Sequence, residues 1–434
     1  MNYGEAVSYL YQLGHETLAM KLGLESVRRL AGAAGDPQNQ FPAVHIAGTN
    51  GKGSSAAMTA AIADAAGLRV GLYTSPHLVE ISERIRIGEV DISAEDFARL
   101  AGYVRETSER LLAARDLPAL PTFFEQVTVI GLLFFAEKEV DLAVLEVGLG
   151  GRLDATNICR PAVTAITPVG EDHQQYLGST VVAIAAEKAG IIKPSIPVVC
   201  SPQLPEVMEV IRARCLDVTA PLVAVEDSSV LAVTRGPDGF YKMHCETERA
   251  LYDVSLTLRG RHQATNAQTA IHVAEQLHSA GFAVEQSAIV AGLSQVVWPG
   301  RLEMVRTAAG RELLLDGAHN PDGARCLRAF LDEQFSGAPL TMIFGAMSDK
   351  PLAEMAQILF PAATTVIATR IANAGAVEPS RIEELALASN QIALSADSAA
   401  EALAVAERCT PAGGLICAAG SLYLVGELEA ILVR

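Results

Sequence analysis

The 434-residue sequence is poor in positive charge and in aromatic side chains, and its cysteines are scattered. Lysine and arginine number 33 against 50 aspartates and glutamates, a formal charge of −17. The field of such a chain repels polyanions, which argues against a nucleic-acid or acidic-membrane surface. A small anion held in a local basic cleft is not excluded. The seven cysteines, at 159, 200, 215, 245, 326, 409 and 417, form no CxxC pair and are odd in number. They read as reduced, mostly buried thiols of a cytoplasmic protein, not as a disulfide framework. The apolar run "VIGLLFF" (129–135) is too short to span a bilayer and lies between Glu125 and Glu137. The opening "MNYGEAVSYLYQLGHE" has no basic segment followed by an apolar block, so no signal peptide is expected. No internal repeat or low-complexity segment stands out.

Half of the residues are hydrophobic and only 19% are charged, so sizeable cores are available and global disorder is not expected. At about 150 residues per domain, the length suggests two or three domains. Strand-like apolar runs alternate with helix-period segments. "PAVHIAG" (42–48) precedes a helical stretch from Lys52 to Ala66, and "RVGLYTS" (69–75) follows it. Helices are expected from Ala94 to Arg115 and from Phe123 to Lys138. "DLAVLEVG" (141–148) and "PAVTAITPVG" (161–170) read as buried parallel strands. This βαβ rhythm predicts an open, doubly wound sheet. Residues 221–257 break it: short pieces such as "LVAVED" and "LYDVSLTL", without helices between them, predict an antiparallel patch. Helical periodicity returns at 262–280 and ends at Pro299 and Gly300 in "VVWPGRLE" (296–303). Strand–helix alternation then restarts with "ELLLDGAHNP", "LTMIFGAM", "TTVIAT" and "GGLICAAGS". The expected class is α/β, with a P-loop-type, mostly parallel sheet in residues 1–297 and a smaller Rossmann-like domain in 298–434.

The chemistry gathers at the ends of these strands. In "HIAGTNGKGSS" (45–55) a strand runs into Gly48-Thr49-Asn50-Gly51-Lys52-Gly53-Ser54 and then into a helix. Glycines let backbone N–H groups turn toward an anion, the helix N-terminus adds partial positive charge, and Lys52 adds a full one. The strict pattern GxxxxGK[ST] is not met, because Gly53 follows Lys52. A hydroxyl for Mg²⁺ is then sought elsewhere. Ser75 in "YTSPHL", at the end of the next strand, is a candidate; a helix or turn cap is the other reading. Glu146 sits near the end of an otherwise apolar strand, where a carboxylate is expensive to bury without a cation. A salt-bridged glutamate is the alternative. His173 lies in the loop "PVGEDHQQYLG" (168–178), where it is either a ligand or solvent-facing. Ser75, Glu146 and His173 all fall at the same edge of the predicted sheet.

Together these pieces resemble the folylpolyglutamate synthases and dihydrofolate synthases, members of the Mur ligase superfamily. The resemblance rests on "HIAGTNGKGSS", "TSPHL", "ERIRI", "FFE", "EVGLGGRLDATN", "EDHQQYLG" and "EKAGIIK". It continues through "RGRHQATNAQTA", "WPGRLE", "LDGAHNP", "GAMSDK" and "GSLYLVGEL", in the family's order and over nearly the whole chain. The family's lysine is followed by glycine and then Ser or Thr, as in Lys52-Gly53-Ser54.

The resemblance implies ATP-dependent ligation of L-glutamate to dihydropteroate, to the γ-carboxylate of reduced folate, or to both, through an acyl phosphate. "GGRLDATN" looks more like the bifunctional bacterial type. The implied ATP contacts are Asn50, Gly51, Lys52, Gly53, Ser54, Asn266, Arg301 and Asp316. Ser75, Glu146 and His173 would hold Mg²⁺, and Lys188 in "EKAGI" matches a lysine that is carbamylated in the family and would serve a second Mg²⁺. A helix-end lysine paired with Glu187 is the plainer reading of Lys188. His319 matches a histidine near the reacting groups, or caps the helix that begins near Pro321. Phe123, Phe124, Glu125 and Asp154 match pterin-binding segments, with one phenylalanine expected only to pack. "HETLAMKLGLESV" (15–27) looks like an early substrate loop leading into a helix. The partners implied are small molecules, with no nucleic acid or membrane, and a monomer is expected. Competing readings are a monofunctional folylpolyglutamate synthase, a Mur-type ligase of peptidoglycan synthesis, and a regulatory protein with a degenerate ATPase. The Mur-type reading calls for an extra N-terminal domain, and a loop starting near residue 48 leaves this sequence no room for one.

Overall fold

The computed structural model describes residues 1–14, 23–226, 230–236 and 239–432. The substrate-loop expectation at 15–27 therefore lies largely outside the described residues. Eight strands form the first sheet: β1 (Ala43–Ala47), β2 (Val70–Tyr73), β3 (Ile85–Ile87), β4 (Val90–Asp91), β5 (Leu142–Glu146), β6 (Val163–Ile166), β7 (Val198–Cys200) and β8 (Leu222–Ala224). Their order is β4-β3-β2-β5-β1-β6-β7-β8. The strands from β2 across to β8 pair in parallel, and the β2–β3 and β3–β4 pairings at the edge are antiparallel.

Alternate strand residues serve two cores, as a period of two requires. Val44, Ile46, Leu72 and Val144 face one core with Met58 and Ile62 of the helix Lys52–Ala65 and Ile271 and Leu277 of the helix His262–Ser279. Ala43, Tyr73, Ala143 and Leu145 face the other, with Phe97 and Leu100 of the helix Ala94–Ala113 and Val127 and Ile130 of the helix Phe123–Glu137. Burial on both sides explains why these strands read as continuous apolar runs.

The antiparallel patch is smaller than the sequence suggested. Only β9 (Val230–Arg235), β10 (Tyr241–Glu246) and β11 (Leu251–Ser255) form it. "LVAVED" instead supplies β8, because the helix Pro205–Asp217 before it makes a crossover that returns the chain parallel to β7.

The second sheet contains β12 (Glu303–Arg306), β13 (Glu312–Leu315), β14 (Leu340–Phe344), β15 (Thr365–Thr369), β16 (Ile392–Ala396) and β17 (Leu415–Ala419), in the order β12-β13-β17-β14-β15-β16. It too is parallel except at its β12 edge. Its faces carry separate cores, one with Leu314, Met342, Phe344 and Val366 and the other with Leu313, Leu315, Ile343 and Ile367.

The register places the site. Ile46 pairs with Glu146, Ala47 with Ile166, and Tyr73 with Leu145. The carboxyl ends of β2, β5, β1 and β6 therefore lie side by side, where ligands of open parallel sheets gather.

Candidate active site

The helix Lys52–Ala65 begins at Gly51, whose φ of 83° lies in the left-handed region, and no described side chain caps it. Its first-turn N–H groups are left to an outside acceptor, which suits an anion. A Cβ at residue 51 would stand 2.2 Å from Asn266 Oδ1, so Asn266 lies against this turn. Asn266 donates to Gln263 at 2.8 Å, and Gln263 donates to the buried Ser54 Oγ at 3.5 Å. The amides of Thr49 and Asn50 both donate to the Pro168 carbonyl, which ties the glycine-rich loop to the loop after β6. Lys52 folds back and donates to Thr49 O at 3.2 Å.

Beside this loop, Glu146 ends β5 and is only 5% exposed. The Ser75 amide donates to its Oε2 at 3.2 Å. Burial raises the Glu146 pKa, while Lys52 and the Ser75 amide oppose that rise. Burial likewise lowers the Lys52 pKa, and Glu146 and Asp172 pull it back up. Lys52 thus divides its charge between a carboxylate at the end of β5 and one in the loop after β6, the two strands that flank β1.

Asp172 was not anticipated from the sequence. It stands one residue before His173 and takes charge from the second sheet's loops. Lys350 Nζ donates to its Oδ1 at 2.6 Å, Asn320 Nδ2 to its Oδ2 at 3.2 Å, and His319 Nε2 lies 3.6 Å from Oδ2. Burial would raise this carboxyl, but the hydrogen bond and charge of His319, with His173 and Lys350, hold it well below the usual carboxylate range. Asn320 also donates to Asn50 Oδ1 at 3.0 Å, so the second sheet's loops touch the glycine-rich loop itself. His173 Nε2 lies 3.3 Å from Lys350 Nζ, and burial pushes the ring's pKa down to about 3. His319 does not cap the helix Pro321–Gln334: Asn320 does, accepting from Gly323 N, while His319 Nδ1 lies 2.8 Å from Gly317 O. Lys350 and Asp172 both stand inside quoted motifs, "GAMSDK" and "EDHQQYLG". Charged residues in strand-end loops were the signal available.

Arg301 and Asp316 approach from the linker and from β13. Asp316 accepts from Leu302 N at 2.9 Å and Ala318 N at 3.0 Å. Burial raises its pKa and Arg301 opposes that. Arg301 also opposes the rise at Glu146, so its charge reaches the end of β5. Lys188 is 5% exposed and donates to Gly48 O at 2.7 Å, while Glu187 pairs instead with Arg152 at 2.9 Å. Burial and the charge of Lys52 push the Lys188 amine down to about 7.

The expected pterin residues divide by role. Phe123 is 2% exposed and stacks on Tyr11 at 5.5 Å, so it packs. Phe124 is half-buried and closes over Gly148, where a Cβ would meet its Cζ at 2.5 Å. Glu125 forms a capping box with Thr122, accepting the Thr122 amide at 2.7 Å; the T-x-x-E pattern announces this. Asp154 accepts from Thr156 N, Thr156 Oγ1 and Leu149 N at 3.0, 2.5 and 2.9 Å, and it caps the turn 155–158.

Among the described residues no three His, Cys, Asp or Glu side chains gather as a preformed metal cage. Mg²⁺ asks for less: it keeps several waters and binds through one or two carboxylates plus substrate phosphates. The buried Glu146 carboxylate next to Ser75 fits that demand. His173 Nδ1 is buried without a hydrogen-bond partner among the described residues and lies 4.0 Å from the Asp349 carboxylate.

Comparison with known proteins agrees with this fold. Residues 46–274 match the Mur ligase middle domain, and residues 300–422 match the Mur ligase glutamate ligase domain. The chain is 36% identical over 356 residues to the dihydrofolate synthase/folylpolyglutamate synthase of Bacillus subtilis strain 168, covering 81% of each. It is 34% identical to the folylpolyglutamate synthase of Lacticaseibacillus casei, over 100% of this chain and 99% of that one. The structure of Mycobacterium tuberculosis folylpolyglutamate synthase complexed with ADP and AMPPCP superposes with a TM-score of 0.91 at 31% identity, covering 99% of both chains. The chain belongs to the folylpolyglutamate synthase/dihydrofolate synthase family of Mur-type ligases, which are ATP-dependent and ADP-forming.

Proposed function

We propose that this protein joins L-glutamate to dihydropteroate and to the γ-carboxylate of reduced folates, with ATP activating the acid. The observation that carries this is the convergence of the uncapped helix at Gly51, Lys52, Glu146, Lys188 and Arg301 on one sheet edge. Bifunctionality is supported by the double name of the Bacillus subtilis relative. A carboxylate is a poor acyl donor until its oxygen is phosphorylated. The acyl phosphate then accepts the glutamate amine and expels phosphate. Positioning and charge neutralisation carry such phosphoryl transfer.

In this reading Asn50, Gly51, Lys52, Gly53 and Ser54 cradle the phosphates, and Lys52 follows the charge on the γ-phosphoryl group. Asn266, Arg301 and Asp316 hold the rest of the nucleotide. Mg²⁺, when bound, supplies neutralisation of the phosphate oxygens. Ser75, Glu146 and His173 would hold one ion, and a carbamate on Lys188 would serve a second. The Lys188 amine, lowered to about 7, is neutral often enough at physiological pH to take up carbon dioxide. Phe124 and Asp154 border the pterin slot, with Phe123 and Glu125 shaping the helix start beneath it. His319 lies between Asp172 and the reacting groups.

Residues 1–297 bind ATP and pterin, and residues 298–434 bring glutamate. In this reading the protein works as a monomer. The seven scattered cysteines, odd in number and without a CxxC pair, support a cytoplasmic setting. No helix among the described residues is long and apolar enough to cross a membrane.

The test offers purified protein dihydropteroate or tetrahydrofolate separately, with ATP, Mg²⁺ and labelled glutamate. Glutamate incorporation with both acids supports the bifunctional reading, and incorporation with folate alone makes the enzyme monofunctional. Phosphate release that depends on neither acid nor glutamate overturns the ligase.

A further inference from the structure

Gly53 breaks the usual hydroxyl pattern, and the structure places an indole against it. A Cβ at residue 53 would lie 3.2 Å from Cζ2 and Nε1 of Trp298 and 3.4 Å from Cε2. Even a methyl there would press on this ring, which would have to give by a few tenths of an ångström. Trp298 is the chain's sole tryptophan; it is half-buried and packs on the core beneath the helix Lys52–Ala65. Three residues later comes Arg301, and the stretch between is pinned again. Gly300 O accepts from Gly317 N at 2.9 Å, Gly300 N donates to Glu303 at 2.8 Å, and Leu302 N donates to Asp316 at 2.9 Å. Arg301 is thus suspended between one anchor on the phosphate loop and several on the second sheet.

We propose that Trp298 is a positioning residue that seats on Gly53 and fixes where Arg301 meets the nucleotide phosphates. The inference rests on reading the Lys52 loop as the phosphate cradle. It also gives Gly53 a reason of its own: the missing side chain is the seat for the ring. The linker and the glycine-rich turn then move as one body, and the arginine's reach is set by an aromatic contact rather than by the flexibility of its own side chain.

The test is a double-mutant cycle between Trp298→Ala and Arg301→Ala, read as kcat/KM for ATP. A displacement of about 1 Å in a charged positioning group costs roughly a hundredfold, which is the loss expected for Trp298→Ala alone. In the Arg301→Ala background the same change is expected to add little, and Trp298→Phe is expected to keep most of the activity. Emission of the tryptophan is expected to change when ADP binds the wild-type protein, which a ring with a purely structural role would not show. Equal losses in both backgrounds, or emission indifferent to ADP, overturn the proposal. Should Trp298→Ala fail to fold, the converse pair decides: Gly53→Ala is expected to lose activity that adding Trp298→Leu partly returns. No return overturns the proposal as well. If Lys52→Ala binds ADP as tightly as wild type, the phosphate-cradle reading itself falls, and this inference with it; loss of binding there with a silent Trp298→Ala removes the inference alone.

Discussion

Lys350 holds its ammonium 2.6 Å from the carboxylate of Asp172, with the two side chains 7% and 6% exposed. The two residues are 178 positions apart and belong to different sheets. Their pairing joins the loop after β6 to the loop after β14, and it brings Asn320 and His319 into the same cluster.

Removing one member of a buried pair leaves the other charge uncompensated, at a cost of about 3–5 kcal/mol. Asp172→Asn is therefore expected to lose about that much stability in urea denaturation. Asp172→Asn combined with Lys350→Met is expected to lose less than the sum of the two single changes. Additive losses would mean that the pair does not hold the sheets together.

Lys52→Ala is expected to fold normally and to form ADP about 10²–10³ times more slowly at saturating substrates, the loss typical of one electrostatic donor in a preorganised site. Circular dichroism verifies the fold, and a coupled ADP assay reads the rate. Near-normal turnover would remove the loop from the chemistry.

Carbamate formation needs the neutral amine, and the Lys188 pKa is lowered to about 7. Stripping carbon dioxide from the buffer is expected to lower turnover, and added bicarbonate to restore it. The effect is expected to strengthen on acidification below pH 7, where the amine becomes protonated. Intact-protein mass measurement under mild conditions checks for one added carbon dioxide, lost in Lys188→Arg.

His45 on β1 is 0% exposed; its Nε2 lies 2.8 Å from Thr156 Oγ1, and its Nδ1 has no hydrogen-bond partner among the described residues. Burial, helped by the charge of Lys193, lowers its pKa from 6.5 to about 3. Between those values the unfolded chain binds the proton more readily, so this group's contribution to stability falls as pH falls from 6.5 toward 3. Denaturation midpoints taken from pH 7 to pH 4 are expected to drop less steeply in His45→Asn. An unchanged slope would place the acid sensitivity elsewhere.

Much of this site was legible because strand ends are. An apolar run that breaks at Gly48, at Glu146 or after Ile166 marks where a parallel strand stops, and parallel strands stop side by side. Helix starts such as Thr122 with Glu125 also carry their own signal. Contacts between the two sheets do not. Nothing in the local periodicity around Asp172 or Lys350 says that they meet, because docking geometry is set by surfaces and not by repeats. β8 was misread for a related reason: three residues are too few to reveal their partner, and only the helix before them fixes the direction.

The bare helix start at Gly51 has a thermodynamic consequence. On the proposed reading a nucleotide would complete this unfinished end, so ligand binding and folding would be linked. Held at about a hundred times its dissociation constant, such a ligand adds roughly 2.7 kcal/mol to the folded state. The enzyme's resistance to heat then tracks the supply of its own substrate, and a cell starved of nucleotide would hold this protein in its more fragile form.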